Sequence, residues 1–186
     1  MALYDFLRSF IVPLKKIDDL LPVKGKIIDL GCGQGLIAKK LSQKKTRMII
    51  GIDQDNSRLP KSDKKNLQFI SHDIRTYPIN NANGIILSDV LHHMNFIDQK
   101  KLLSSFRASL GKNGVLLIKE IDTEEFIRSK LSRFWDFIFY PSDKIYYWSS
   151  KKLQSFLKES GFSVQIERAS RLFPGSTTLF ICKKSG

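Results

Sequence analysis

The chain has 186 residues, 42% of them hydrophobic and 26% charged, which fits one globular domain with one sizeable core and excludes a disordered or repeat protein. No run approaches the roughly 18 apolar residues of a membrane-spanning helix, and the first residues lack the charged start and cleavage signal of a secretory peptide, so a cytoplasmic location is expected. The net charge of +13 comes mostly from lysine, 22 against 9 arginines, scattered in short pairs; a nucleic-acid groove would concentrate arginine with stacking aromatics, so a solvated lysine-rich surface is expected and RNA stays open on charge alone.

In chain order, Leu3, Phe6, Leu7, Phe10, Ile11 and Leu14 line one face of a helix that Pro13 bends or breaks. Ile17, Leu20 and Leu21 predict a second short helix before the turn at Pro22 and Gly25. Residues 1–25 therefore read as a helical cap. From Lys26 short apolar runs alternate with amphipathic stretches, the pattern of a parallel sheet between helices. Strands are predicted at 27–30, 48–52, 67–71, 84–88 and 115–120. Between them fall a helix at 36–43, a polar helix near 56–64, and a helix in which Leu102, Leu103, Phe106 and Leu110 share a face before Gly111 ends it. These elements make a core over 26–122.

Residues 123–148 form an aromatic-rich insertion or lid. Phe134, Trp135, Phe137, Phe139 and Tyr140, with Tyr146, Tyr147 and Trp148, suit an apolar acceptor pocket, a membrane-facing lid or a buried core helix. The last unit, 149–186, starts at a capping Ser149, runs through a helix with Leu153, Phe156 and Leu157 inward, and stops at Gly161. Strands at 162–167 and 177–182 follow without a helical crossover and are expected to pair antiparallel. The expected fold is a Rossmann-like, doubly wound α/β domain: a mostly parallel seven-stranded sheet with an antiparallel C-terminal edge hairpin and helices on both faces.

The strongest local signal is Asp29-Leu30-Gly31-Cys32-Gly33-Gln34-Gly35, an apolar strand running into three alternate glycines and a helix. Glycine lets the backbone turn sharply and approach a ligand, and amides at a helix start favour electron-rich groups. A dinucleotide site would space its glycines G-x-G-x-x-G; here the spacing is G-x-G-x-G. Asp29 just before them would repel a pyrophosphate but can face a ligand ammonium group. Asp53 ends the second strand about 20 residues further on, where a carboxylate reaches ribose hydroxyls. Asp73 ends the third. Cys32 and Cys182 have no metal-ligand spacing, so no metal site and no disulfide are expected.

In this order and spacing, the D-L-G-C-G-Q-G, G-I-D and H-D-I segments resemble class I S-adenosylmethionine-dependent methyltransferases. Ser88-Asp89-Val90-Leu91-His92-His93 is similar to the family's D-x-L-H-H variant, common among enzymes acting on small molecules and lipids. The resemblance covers most of 26–183. It implies S-adenosylmethionine as cofactor and S-adenosylhomocysteine as product. Asp29, Gly31 and Gly33 would hold the methionine portion, with Cys32 and Gly35 in the same loop. Asp53 would bind ribose, Asp73 and the Ile74 amide adenine, and the Ser88 carbonyl the ammonium group; Gln54 replaces the apolar residue often found beside adenine.

His92 and His93 are the candidates for a base, or for orienting the loop. Lys119-Glu120-Ile121-Asp122, at the end of the fifth strand, shares the rim, and its acids Glu120 and Asp122 could bind an acceptor or cap the helix that follows. The motif lacks the N/D-P-P-Y pattern of exocyclic base methylation and a cysteine after proline, which leaves a small-molecule or lipid-like acceptor, with a peripheral contact to anionic membrane in keeping with the charge. RNA methylation and a catalytically silent, cofactor-binding regulatory module are the alternatives.

Overall fold

The computed structural model describes residues 12–121, 145–168 and 177–185. Strands β1 (Gly25–Leu30), β2 (Arg47–Asp53), β3 (Leu67–Ser71), β4 (Ala82–Ser88), β5 (Leu110–Ile121), β6 (Phe162–Arg168) and β7 (Thr177–Lys184) form one sheet in the order β3-β2-β1-β4-β5-β7-β6. The first five are parallel; β7 is antiparallel to β5 on one side and to β6 on the other, so β6 and β7 make the expected antiparallel edge. Strand order reverses between β1 and β4, which opens a crevice at their carboxyl ends.

Each central strand is apolar on both faces because helices cover both. Ile28, Leu30, Ile85, Leu87, Leu116 and Ile118 pack beneath α3 (Phe96–Ser109) and α4 (Ser150–Glu159), through Leu102, Leu103, Phe106, Leu153 and Leu157. Their neighbours Ile27, Ile49, Ile86, Leu117 and Ile181 point the other way, against Ile17 and Leu21 near α1 (Leu14–Leu20) and Ile37, Ala38 and Leu41 of α2 (Leu36–Leu41). The strand period of two produces this split, and each fully buried Leu, Ile or Phe contributes roughly 1.5–3 kcal/mol by leaving water.

The helix expected near 56–64 is replaced by a single 3-10 turn, Asn56–Arg58, capped by Asp55, whose carboxylate accepts the Ser57 N–H at 3.0 Å. Pro60 withholds a helical N–H, and this polar stretch has little apolar surface to bury. Helix α3 stops at Ser109 with Leu110 already extended, so Gly111 lies inside β5 and is not the terminator. At Gly161 the expectation holds: φ is +85° directly after Ser160 closes α4. Ser149 caps α4, its hydroxyl accepting the Lys152 N–H at 3.4 Å.

No described helix is long and apolar enough to cross a membrane. Most of the helix expected at the start of the chain, the aromatic stretch at 134–140, Asp122 and the connection between the last two strands fall outside the described residues.

Candidate functional site

The carboxyl ends of β1 and β4, the loop after β1 and the helix that follows build a cleft of about 140 Å³, lined by Val12, Asp29, Gly31, Cys32, Gln34, Leu36, Ile37, Lys39 and Ser88. Asp29 and Ser88, each 2% exposed, are strand-end residues brought to the same wall by β1–β4 pairing. Gly31 has a φ of +70°, and a Cβ there would stand 2.4 Å from a Val90 methyl. Only glycine lets the loop leave β1 in that conformation while Val90 closes over it.

Asp53 is buried at the end of β2, and its Oδ2 accepts the Gly33 N–H at 2.7 Å while Oδ1 accepts the Asp55 N–H at 3.0 Å. The carboxylate therefore braces the glycine loop and keeps lone pairs for a further donor. Behind it the Phe69 ring packs where a side chain on Gly35 or Gly51 would stand. Cys32 is buried in the same loop; burial, then the charges of Asp29 and Asp53, push its thiol pKa far up, so it serves as packing and not as a nucleophile.

Asp73 follows β3 and is held by Arg75, whose Nε lies 3.0 Å from both carboxylate oxygens. That hydrogen bonding holds the Asp73 pKa below its ordinary value. Arg75 also reaches Asp98 at 3.2 Å and so links β3 to the start of α3. Ile74 is half-buried against the core, while Gln54 is exposed. Asp53, Asp73, Ile74, Gln54, Gly33 and Gly35 are not among the residues that line the cleft.

The two histidines separate. His93 is exposed, whereas His92 is 2% exposed and places Nδ1 2.7 Å from Glu120 Oε2. The other oxygen of Glu120 accepts the N–H groups of Val90 at 3.1 Å and Leu91 at 2.8 Å. One carboxylate at the end of β5 therefore caps the turn Leu91–His93 and sets the imidazole with its proton on Nδ1, the tautomer in which Nε2 accepts. The cap of α3 is a different residue, Asn95, whose side-chain oxygen accepts from the Ile97 and Asp98 N–H groups.

His92 and Glu120 line a second, much smaller cavity of about 10 Å³ with Tyr146, Tyr147 and Trp148. Those aromatics are tied down: the Tyr146 N–H donates to the His92 carbonyl at 2.8 Å, and Tyr147 stacks on the His92 ring with centroids 5.3 Å apart. The Gln99 side chain, fully buried in α3, donates to the Met94 and Tyr146 carbonyls and accepts from the Trp148 indole N–H.

Sequence reasoning missed two features. Lys119, 2% exposed, meets both oxygens of Asp89 at 2.6 and 2.8 Å. Asp89 itself has a φ of +58°, a costly conformation for a non-glycine residue that this pair and the Asp89 N–H to Lys119 carbonyl bond, 2.9 Å, hold in place. Secondly, Glu120 is the partner of His92 and caps the turn Leu91–His93. The register Ser88↔Lys119 explains both: residues just beyond Ser88 face those at the end of β5. Adjacency of β4 and β5 was the signal available in the sequence.

The family described as methyltransferase domain matches residues 5–166. The O-methyltransferase xanE of Aspergillus fumigatus is 26% identical over 129 residues, which cover 63% of this chain and 30% of that protein. The ubiquinone/menaquinone biosynthesis C-methyltransferase UbiE of Campylobacter jejuni is 29% identical over 108 residues, covering 54% and 46%. The matched stretch thus spans less than half the length of these curated relatives. Among solved structures, a SAM-dependent methyltransferase from Archaeoglobus fulgidus superposes with a TM-score of 0.72 at 17% identity, over 92% of this chain and 91% of that one. Human N-acetylserotonin methyltransferase in complex with SAM gives 0.73 at 18% identity, over 97% and 55%. These structural likenesses establish the fold.

Proposed function

Because the chain belongs to the methyltransferase-domain family, we propose that it transfers the methyl group of S-adenosylmethionine to a small-molecule acceptor, leaving S-adenosylhomocysteine. The observation that carries this reading is the cleft at the switch point, in which buried Asp29 and Ser88 flank a glycine loop braced by Asp53. The donor set fits the nucleoside. Two carboxylates suit an ammonium group and a ribose diol, and the glycine loop leaves room for a close backbone approach.

Asp29 and the Ser88 carbonyl would hold the amino-acid tail, with Gly31, Cys32, Gly33 and Gly35 shaping the loop. Asp53 would accept the ribose hydroxyls. Asp73 would share its carboxylate between Arg75 and the adenine amino group, beside Ile74 and Gln54. When bound, S-adenosylmethionine supplies a methyl group already activated on a sulfonium, so the protein's share is alignment and exclusion of water.

For a hydroxyl acceptor, His92 is the base. Glu120 holds the Nδ1 proton, leaving Nε2 to take the proton that the acceptor oxygen loses as it bonds to the methyl carbon. His93 lies outside this pair. An apolar or lipid-like acceptor would find Tyr146, Tyr147 and Trp148 beside His92.

Calorimetry with S-adenosylmethionine and S-adenosylhomocysteine tests the cofactor, with dissociation constants in the micromolar range expected, about −8 kcal/mol. Asp29→Asn weakens binding by at least about tenfold, since a charge-assisted hydrogen bond contributes roughly 1.5–3 kcal/mol. No uptake of either compound at millimolar concentration refutes the reading. Labelled cofactor with a cell extract then identifies the acceptor: label in a small-molecule or lipid fraction is expected, label in RNA overturns that class, and binding without transfer leaves a silent cofactor module.

A further inference from the structure

The charges of this molecule are sorted along the strands. Asp29, Asp53, Asp89 and Glu120 sit at the carboxyl ends of β1, β2, β4 and β5. The opposite end carries exposed lysines in nearly every connection: Lys24 before β1, Lys45 before β2, Lys64 and Lys65 before β3, Lys112 at the start of β5 and Lys183 at the end of β7. They form no ion pair among the described residues. The acids at this end are fewer. Asp18 is taken by Arg47 and Lys44, which leaves Asp19, Asp63 and Glu159.

The loops that bear these lysines are built. Asn66 Nδ2 donates to the Ser42, Lys44 and Arg47 carbonyls, locking the turn before β3 onto the turn before β2, and Lys64 Nζ reaches Ser42 Oγ at 3.2 Å. Rigid loops hold like charges side by side that a solvated coil would spread apart.

We propose that this end of the sheet, opposite the site, is a docking surface for an anionic lipid bilayer. Three observations favour a bilayer over nucleic acid. The lysines extend across the sheet's width, seven strands at ~4.8 Å spacing, as a face for a plane of charge. All six are lysines, point charges without the planar fork that reads phosphate or base edges, and the two arginines at this end are engaged: Arg47, 1% exposed, on Asp18, Leu21 and Pro22, and the exposed Arg107 on the Gly161 and Ser185 carbonyls. Two apolar side chains stand among them in water, Val23 at 67% and Met48 at 45% exposure, placed to enter the headgroup layer. Docked this way, the protein turns its cleft away from the bilayer plane.

The test is flotation of the full chain with phosphatidylcholine vesicles, with and without a quarter of phosphatidylglycerol. Binding requires the anionic lipid and disappears at about 1 M salt, where the Debye length is ~3 Å. Lys45→Glu with Lys65→Glu lowers binding at least about tenfold, given ~1 kcal/mol for each lysine near such a surface. The control Lys151→Glu with Lys152→Glu, at the rim end of α4, changes it less than about threefold. Nucleoside binding by calorimetry stays as in the parent chain for both variants, which shows they are folded. Equal losses in the two variants, vesicle binding indifferent to lipid charge, or tighter binding to a random RNA duplex than to the vesicles overturns the proposal.

Discussion

Glu120→Gln isolates what one carboxylate does at the rim. Glu120 is 7% exposed and accepts three hydrogen bonds, from the Val90 N–H, the Leu91 N–H and His92 Nδ1. An amide can keep its oxygen toward the two backbone donors, but its NH₂ then faces His92 Nδ1. Two donors cannot share that contact, so the imidazole moves its proton to Nε2. Hydrogen bonds to a charged group contribute about 1.5–3 kcal/mol, and a domain of this size loses roughly 2–4 °C of Tm per kcal/mol. The expected fall in Tm is therefore about 3–12 °C.

In ¹⁵N-histidine spectra the His92 pattern switches from protonated Nδ1 to protonated Nε2, while nucleoside binding changes less than about threefold because Glu120 is not in the cleft lining. Methyl transfer to a hydroxyl acceptor falls about 100-fold or more, the usual contribution of a general base. The parent chain showing protonated Nε2 at neutral pH, or the variant keeping protonated Nδ1, refutes the assignment.

Further outcomes follow from other sites. Arg47→Met removes a fully buried guanidinium that joins Asp18, Leu21 and Pro22 to the start of β2, and urea unfolding is expected to show a loss of about 3 kcal/mol. Gly31→Ala meets both a φ of +70° and the Val90 methyl at 2.4 Å; nucleoside binding drops at least about tenfold, and adding Val90→Ala recovers part of the loss by removing the clash but not the backbone strain, as titration calorimetry would show. Burial pushes the Cys182 thiol up to about 12, against about 8.5 in the unfolded chain. Its contribution to stability is therefore full below about 8.5 and is lost as pH rises from there toward 12. A disulfide reagent at pH 8 should label Cys182 only once the protein unfolds.

Much of the fold was legible because its signals are local. Ile27 and Ile28, or Ile85 and Ile86, are consecutive apolar residues that only a sheet covered on both faces can bury. The Asp29–Gly35 stretch ends a strand and opens a helix in one step, and Gly161 stops α4 where expected. The failures are local as well. The polar stretch at 56–64 forms no helix because Pro60 and its lack of apolar residues do not support one, and Gly111 does not stop α3 because Leu110 is already extended.

Residue chemistry along single strands determined the sheet's class, the cleft's place and the acids that border it, since strand ends, glycines and carboxylates are written in short contiguous runs. Tertiary structure alone decided how those runs meet. The register of β4 on β5 made Lys119 the partner of Asp89 and brought Glu120 to His92 across about 30 residues of chain. Gln99, a polar residue in an otherwise ordinary helix face, became the clasp for Tyr146 and Trp148. Pairings of this kind depend on which strands lie side by side and in what register, a property of the assembled sheet that no single segment carries.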